Sequence, residues 1–430
     1  MPRAAYARPM TDDLSRATGQ VSLGDPAFTY PLWPPMTAGC PRTSTEALSY
    51  PVEVDYAYEE VDGPALFARS ASGRSDGIGR WAPLMPPLVG AGLAEGGTPL
   101  VPLEDGVYVK DESRNPTWSH KDRLNRVAVS AAARMGAPGV VVASSGNHGA
   151  SAAAYAARAG LRCVVIASSH VPPAVLSFLR AYGAEVLPVP EDARWPLLRL
   201  LVERCALHPV SNLTPTHTGH AFGPEGYKTV AYELFADLGT VPSAVYVPVG
   251  YGELLFGVGK GFEELRRLGV TDRVPRLFSA EPDAGGPLAA AVRTGVPATH
   301  VEVGPTDAYA IDSSAGGYRA RHALLRSGGE PLLVSDAQMR DAQRELAGQG
   351  MWAELSSAAG LAAYRARSGA TPAKDAGAAG DSGDAGDGPV VCVSTSSGFK
   401  DLGVGTEPVE PVSPEWDALV PRLRAAGLLD

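Results

Sequence analysis

Between residues 119 and 189 the chain alternates helical and strand-type segments so regularly that few architectures can hold it. Leu124, Val127, Ala128, Ala131, Ala132 and Met135 recur at helical spacing, and Gly136 ends the run. GVVVA (139–143) has the unbroken apolar character of a buried strand, and ASAAAYAARAG (150–160) is a small-residue helix closing in glycine. LRCVVIA (161–167) is a second strand, PPAVLSFLRAYG (172–183) a helix with proline in its first turn, and AEVLPV (184–189) a third strand. Parallel neighbours need a long crossover, usually helical, so this order predicts an open, twisted parallel sheet of the α/β class. A second series follows: helix at 227–239, strand SAVYVPV at 243–249, helix at 257–269, and strand RLFSAEP at 276–282. Helices at 336–350 and 356–367 then lead to a late strand, PVVCVST, at 389–395.

The flanks are less regular. Residues 1–75 are rich in Pro, Gly and Ser around one strand, VEVDYAY (52–58), and read as an amino-terminal arm. Residues 97–113 read as two strands about a turn at Asp105-Gly106. The segment 368–388 is poor in apolar residues and rich in Gly, Ala and Asp, the composition of a disordered loop. A net charge of −10 with no basic block argues against nucleic acid as a partner. No run of about 18 apolar residues argues for a membrane span. Four scattered cysteines without a CxxC argue against a disulfide framework or a zinc ribbon, so no metal is expected. With no apolar signal core near its start, the chain is expected in the cytoplasm.

In open parallel sheets, ligands collect at the carboxyl ends of strands. Three loops of unusual composition stand there. SSGNHGAS (144–151) puts hydroxyls and free helix-start N–H groups where an anion such as a carboxylate fits, with Asn147 at its apex. GYGELLFGVGKG (250–261) is a glycine-rich strand-to-helix turn of the kind that cradles phosphate. Its GxGxxxxG spacing and late position speak against the dinucleotide fingerprint of an NAD-dependent dehydrogenase. STSSGFKD (394–401) presents four hydroxyls at a strand end, suited to a neutral ring nitrogen. Each loop taken alone also reads as an ordinary turn.

A lysine joins them. The chain has 31 arginines but six lysines, at 110, 121, 228, 260, 374 and 400. Arginine does not deprotonate or form imines; lysine does both. In NPTWSHKDRLNR (115–126), Ser119 has the position of an N-cap with Asp122 three residues on, which places Lys121 in the first helical turn. The helix dipole disfavours a cation there by about 0.3–1 kcal/mol, so it favours the neutral, nucleophilic amine. A lysine, an asparagine loop, a phosphate cup and a hydroxyl loop together are what pyridoxal phosphate requires.

The same residues carry a resemblance. NPTWSHKDR is similar to the NPTGSFKDR of the threonine synthase family, within the fold-type II pyridoxal-phosphate enzymes. SSGNHGAS, VPVGYGELLFG, GYKTVAYE, AIDSSAGGY, WAELSSAAGLAA and VCVSTSSGFKD resemble further family segments in the expected order from about residue 97 to 401. The resemblance implies a tryptophan synthase beta-like fold. Its two open, twisted, mostly parallel sheets carry helices on both faces, with the active site between a large domain (76–124 and 223–430) and a small one (125–222). It implies that Lys121 carries the cofactor and shuttles the α-proton, and that Asn147 bonds the ring hydroxyl. Gly250, Tyr251, Gly252, Glu253 and Leu254 would wrap the phosphate, and Thr395 would face the pyridine nitrogen. Ser144, Ser145 and His148 would hold the substrate carboxylate. The expected activity is elimination or replacement on a β- or γ-substituted amino acid such as O-phosphohomoserine, by a homodimer. Serine/threonine dehydratase-like or cysteine synthase-like chemistry, or a non-catalytic cofactor-binding protein, are the alternatives. The chain departs from the family in five places. LTPTHTGHAFGPEGYK (213–228) lacks the arginine of an NPxRxEGQK-like segment, Glu253 stands where Gly or Asn is usual, SSGNHG is closer to serine and threonine dehydratases, TSSG replaces TGHG, and the family's amino-terminal cysteine knuckle is reduced to Cys40-Pro41.

Overall fold

The computed structural model describes residues 14–68, 74–168, 173–369, 388–400 and 415–429. In chain order, an antiparallel sheet comes first, made by β1 (Ala17–Ser22), β2 (Thr29–Pro31) and β3 (Val52–Tyr56) and followed by α1 (Gly63–Ala68). The hairpin β4 (Leu100–Glu104) and β5 (Val107–Asp111) turns at Asp105-Gly106 as its sequence predicts. Next come α2 (Lys121–Arg134), β6 (Gly139–Val142), α3 (Asn147–Ala159), β7 (Arg162–Ser168), α4 (Pro173–Ala181), β8 (Glu185–Val189), α5 (Arg194–Cys205) and β9 (His208–Pro209). Then follow α6 (Gly223–Tyr227), α7 (Thr229–Leu238), β10 (Ala244–Pro248), α8 (Glu253–Arg267), β11 (Arg276–Pro282) and α9 (Pro287–Thr294). The series closes with α10 (Tyr318–Arg326), β12 (Glu330–Val334), α11 (Asp336–Gly348), α12 (Ala359–Ser368) and β13 (Val390–Ser394). Residues 401–430 form a separate unit whose described part contains α13 (Trp416–Ala425).

Two mostly parallel sheets organise residues 1–400. One has six strands in the order β12-β11-β10-β13-β5-β4, parallel except for β4 against β5; the other has four parallel strands, β8-β7-β6-β9. β10 and β13 are central, and all five of their residues are buried, which is why they read as continuous apolar runs. The arm contributes three strands instead of one. β1 and β2 have too few apolar residues to show alternation, and β1 is held by pairing with β3. The 368–388 segment lies almost wholly outside the described residues.

Several buried charges answer one another. Arg123, fully buried, donates through Nε to Glu112 Oε2 and through Nη2 to Glu233 Oε2, both at 2.7 Å. Lys110 sits 2.9 Å from the same Glu233 oxygen. Lys228 pairs with Glu225 and Glu264, and Lys260 with Glu225 and Glu53. Three of the six lysines are thereby committed to ion pairs, and Lys374 lies outside the described residues.

Candidate active site

Every loop singled out in the sequence leaves the carboxyl end of a parallel strand: 112–121 follows β5, 144–149 follows β6, 250–254 follows β10 and 395–400 follows β13. Lys121 is the first residue of α2 and half-buried. The expected cap differs in detail. The Ser119 hydroxyl is buried without a hydrogen-bond partner among the described residues, and His120 precedes the helix in helical conformation. Asp122 turns back instead to accept from the Thr117 amide at 2.6 Å and hydroxyl at 2.5 Å, and from Ser151 Oγ at 2.6 Å. This pulls the NPTWSHK segment into a tight loop in which Trp118 takes φ +62°, unusual for a bulky residue.

The Lys121 amine makes no hydrogen bond or ion pair with a described residue, and the Tyr227 ring lies 5.7 Å from it. Burial lowers its pKa, and the carboxylates of Glu253 and Glu354 oppose that shift without cancelling it. His120, whose pKa burial and then Lys121 depress, packs 5.4 Å from Tyr227.

Asn147 opens α3 and is a junction between segments far apart in sequence. Its amide nitrogen donates to Glu354 Oε2 at 2.8 Å, and its oxygen accepts from Ser396 Oγ at 2.9 Å and Lys400 Nζ at 2.8 Å. Lys400 also donates to the Thr117 carbonyl, and burial brings its pKa down to about 8. Thr395 is buried, its hydroxyl 2.9 Å from Ser357 Oγ, and its carbonyl accepts from the His120 amide at 2.9 Å. Ser144 and Ser145 stand beside the α3 start; His148, with burial and Lys121 lowering its pKa to about 3, is a neutral imidazole whose Nε2 has no hydrogen-bond partner among the described residues.

The glycine turn at 250–254 ends in α8, with Glu253 its first residue and Gly252 at φ +82°. A side chain at 252 would meet Ala320 Cβ at 2.2 Å, so only glycine closes this turn against α10. Tyr251 stacks on His217 with centroids 4.1 Å apart, and His217 Nε2 donates to Glu253 Oε2 at 3.1 Å. Burial would raise the Glu253 pKa, but the His217 hydrogen bond and the charges of His217, Arg319 and Lys121 hold it at about 2.

Lys121, His148 and Glu253 act on one another electrostatically, and Asn147 and Thr395 bond to four residues not expected from the sequence: Glu354, Ser357, Ser396 and Lys400. A half-buried free amine, a helix-start phosphate cup and a pair of neutral hydroxyls can hold a phosphorylated pyridine aldehyde and move protons beside it. Comparison with known proteins agrees. The family described as pyridoxal-phosphate dependent enzyme matches residues 92–378. The threonine synthase of Synechocystis sp. is 35% identical over 322 residues, 72% of this chain and 78% of that protein. The threonine synthase of Methanocaldococcus jannaschii is 30% identical over 85% of this chain and 91% of its own. Among solved structures, serine racemase from Dictyostelium discoideum superposes with a TM-score of 0.57 at 22% identity, covering 71% of this chain and 93% of that one, which shows the shared fold. The chain belongs to the threonine synthase family of pyridoxal-phosphate-dependent enzymes.

Proposed function

We propose that Lys121 is the residue that carries pyridoxal phosphate and that the protein catalyses elimination or replacement at a β- or γ-substituted amino acid. The observation that carries this is the Lys121 amine. Of the five described lysines it alone has no hydrogen-bond or ion-pair partner, and burial favours its neutral form. The remaining residues fit the cofactor. Residues 250–254 offer backbone N–H groups and the α8 dipole to its phosphate. Asn147 has its amide orientation set by Ser396 and Lys400; one of its N–H groups donates to Glu354, which leaves the other for the ring hydroxyl. Thr395, with Ser357, offers an uncharged hydroxyl to the ring nitrogen.

When bound, the cofactor supplies an electron sink for charge developing at the substrate Cα. The chain does the rest. Ser144, Ser145, His148 and the α3 start receive the substrate carboxylate. Lys121, once released, takes the Cα proton and returns it, burial favouring the neutral amine. A neutral partner at the ring nitrogen leaves the ring less electron-withdrawing than a carboxylate partner does, which suits loss or exchange of a Cβ or Cγ substituent.

The family's named activity makes O-phosphohomoserine the first substrate to try. A second reading, dehydratase-like elimination, is favoured by Glu253 and by the missing arginine in 213–228. We further propose that residues 125–222, which contain all of the four-stranded sheet, act as the small domain against the six-stranded one. The four free cysteines, three of them buried, support a reducing compartment such as the cytoplasm. The homodimer rests on the resemblance, and sedimentation at neutral pH checks it.

The test is optical. Purified protein given pyridoxal phosphate is expected to show a visible absorption band that borohydride bleaches while fixing the cofactor covalently to Lys121. Lys121→Ala is expected to lose both the fixed cofactor and turnover; cofactor fixed by borohydride in that variant overturns the assignment.

A further inference from the structure

A cavity of about 640 Å³ lies among β3, α8, β11 and α10, and none of the residues assigned above to the cofactor or the substrate lines it. That volume suits a small organic ligand. Its apolar side is made by the buried side chains of Phe256, Phe262 and Leu277, with the rings of Tyr58 and His322 beside them. Charges of both signs line the rest, four carboxylates against Lys260 and three arginines. That balance favours neither a net anion nor a net cation.

Most of these charges are answered inside the protein. Glu53 pairs with Lys260 at 3.2 Å, Glu264 with Lys228 at 2.9 Å, and Glu263 with Arg266 at 2.6 Å and Arg326 at 3.8 Å. Asp55 and Arg267 are the exceptions. Among the described residues neither side chain has a hydrogen bond or an ion pair, and Arg267 lies instead over the Tyr58 ring, 3.9 Å from its centroid. The two come from different walls, Asp55 from the half-buried face of β3 and Arg267 from the last residue of α8. Tyr58 follows Asp55 by three residues, about 11 Å of chain at most. The opposite charges therefore border the same part of the cavity without meeting.

We infer that this cavity is a second small-molecule site, taking a zwitterionic α-amino acid with an aromatic side chain, its ammonium at Asp55 and its carboxylate at Arg267. A free carboxylate and a free guanidinium on either side of an apolar hollow match the two charges of such a ligand, and an arginine fork suits a carboxylate. The rings of Tyr58, Phe256 and Phe262 suit an aromatic side chain, which they meet edge-on or offset. An occupant rests against the carboxyl-terminal ends of α8 and α10, through Arg267 and Arg326, while the opposite ends of the same helices close around Gly252. It thus touches the helices that seat the phosphate turn without entering the cofactor site.

The experiment is a calorimetric titration of the holoenzyme with three probes that share one apolar body: L-phenylalanine, 3-phenylpropanoate and 2-phenylethylamine. The cofactor's absorption is recorded in parallel. L-Phenylalanine is expected to bind with a Kd below about 1 mM, and about tenfold or more tightly than either probe lacking one charge. Asp55→Asn and Arg267→Gln are each expected to weaken it about tenfold, with the cofactor band and turnover as in the wild type. Binding that changes the cofactor band and that neither substitution weakens belongs to the catalytic site and overturns the inference. Equal binding of all three probes overturns it as well, as does a wild-type protein that binds no L-phenylalanine. Self-association abolished by either substitution, with no probe bound, assigns the cavity to a second copy of the chain and sinks the inference too. Heat is read with or without cofactor, so a protein lacking the cofactor band refutes the cofactor assignment alone.

Discussion

Gly252 bears on two functions at once, since its left-handed φ turns the chain onto α8 and its missing side chain admits Ala320. Gly252→Ala must push α10 away or rotate the turn, and both displace N–H groups from the phosphate position. We expect cofactor affinity to fall about tenfold or more, measured by titrating apo protein with pyridoxal phosphate, while circular dichroism stays near wild type. At this scale the site divides by how its residues announce themselves. Lys121 and Asn147 are legible in the sequence because each sits in a local pattern, a lysine in a first helical turn and an amide in a glycine-bounded loop. Glu354 and Ser357 carry no such mark. Glu354 reaches Asn147 from 207 positions away, and only the fold makes them neighbours. Lys400 is on the short list of lysines, yet nothing local distinguishes its bond to Asn147 from a solvated charge.

Among elements, α8 shows why boundaries are harder to read than elements themselves. GVGKG looks like the end of a turn, and the sequence reading starts the helix at Gly257; it starts at Glu253. The glycines are there for packing. A Cβ at 261 would lie 2.4 Å from the Lys228 carbonyl, so α8 can press against the α6–α7 junction only without one. Helix α10 is hard to read because three arginines and a histidine interrupt the apolar pattern of YRARHALLR, although Arg319 within it is buried. The pair β11–α9 carries a pH dependence. Glu281, at the end of β11, accepts from the amides of Leu288 and Ala289 in the first turn of α9, and burial raises its pKa to about 7 from an ordinary value of 4.5. Between those values the native protein holds a proton that the unfolded chain has released, so stability falls as pH rises through that window. The slope is at most about 1.4 kcal/mol per pH unit. Asp122, with burial raising it to about 6, adds in the same direction. Urea unfolding between pH 4.5 and 7 is expected to show the decline, and Glu281→Gln to flatten it.

At the scale of the molecule, alternating strands and helices specify the two parallel sheets, because period and order are properties of the sequence itself. The amino-terminal sheet is illegible for the opposite reason, its strands being short and its pairing long-range. Yet that sheet grips three helices around the site. Tyr56 OH donates to Glu225 Oε2 at 2.8 Å on α6, Lys260 on α8 donates to the Val54 carbonyl at 2.5 Å, and Arg319 on α10 donates to the Val52 carbonyl. The residues matched by the family begin at 92, so the grip lies outside them. A protein lacking residues 1–91 would keep Lys121, Asn147 and Thr395 and still lose the brace that keeps α8 and α10 seated about the phosphate turn. It is expected to retain less cofactor through gel filtration, judged by absorbance; an undiminished band would show β3 to be dispensable. The strand β3 is thus expected to work as a keystone, setting from outside the family-matched segment how firmly that segment holds its coenzyme.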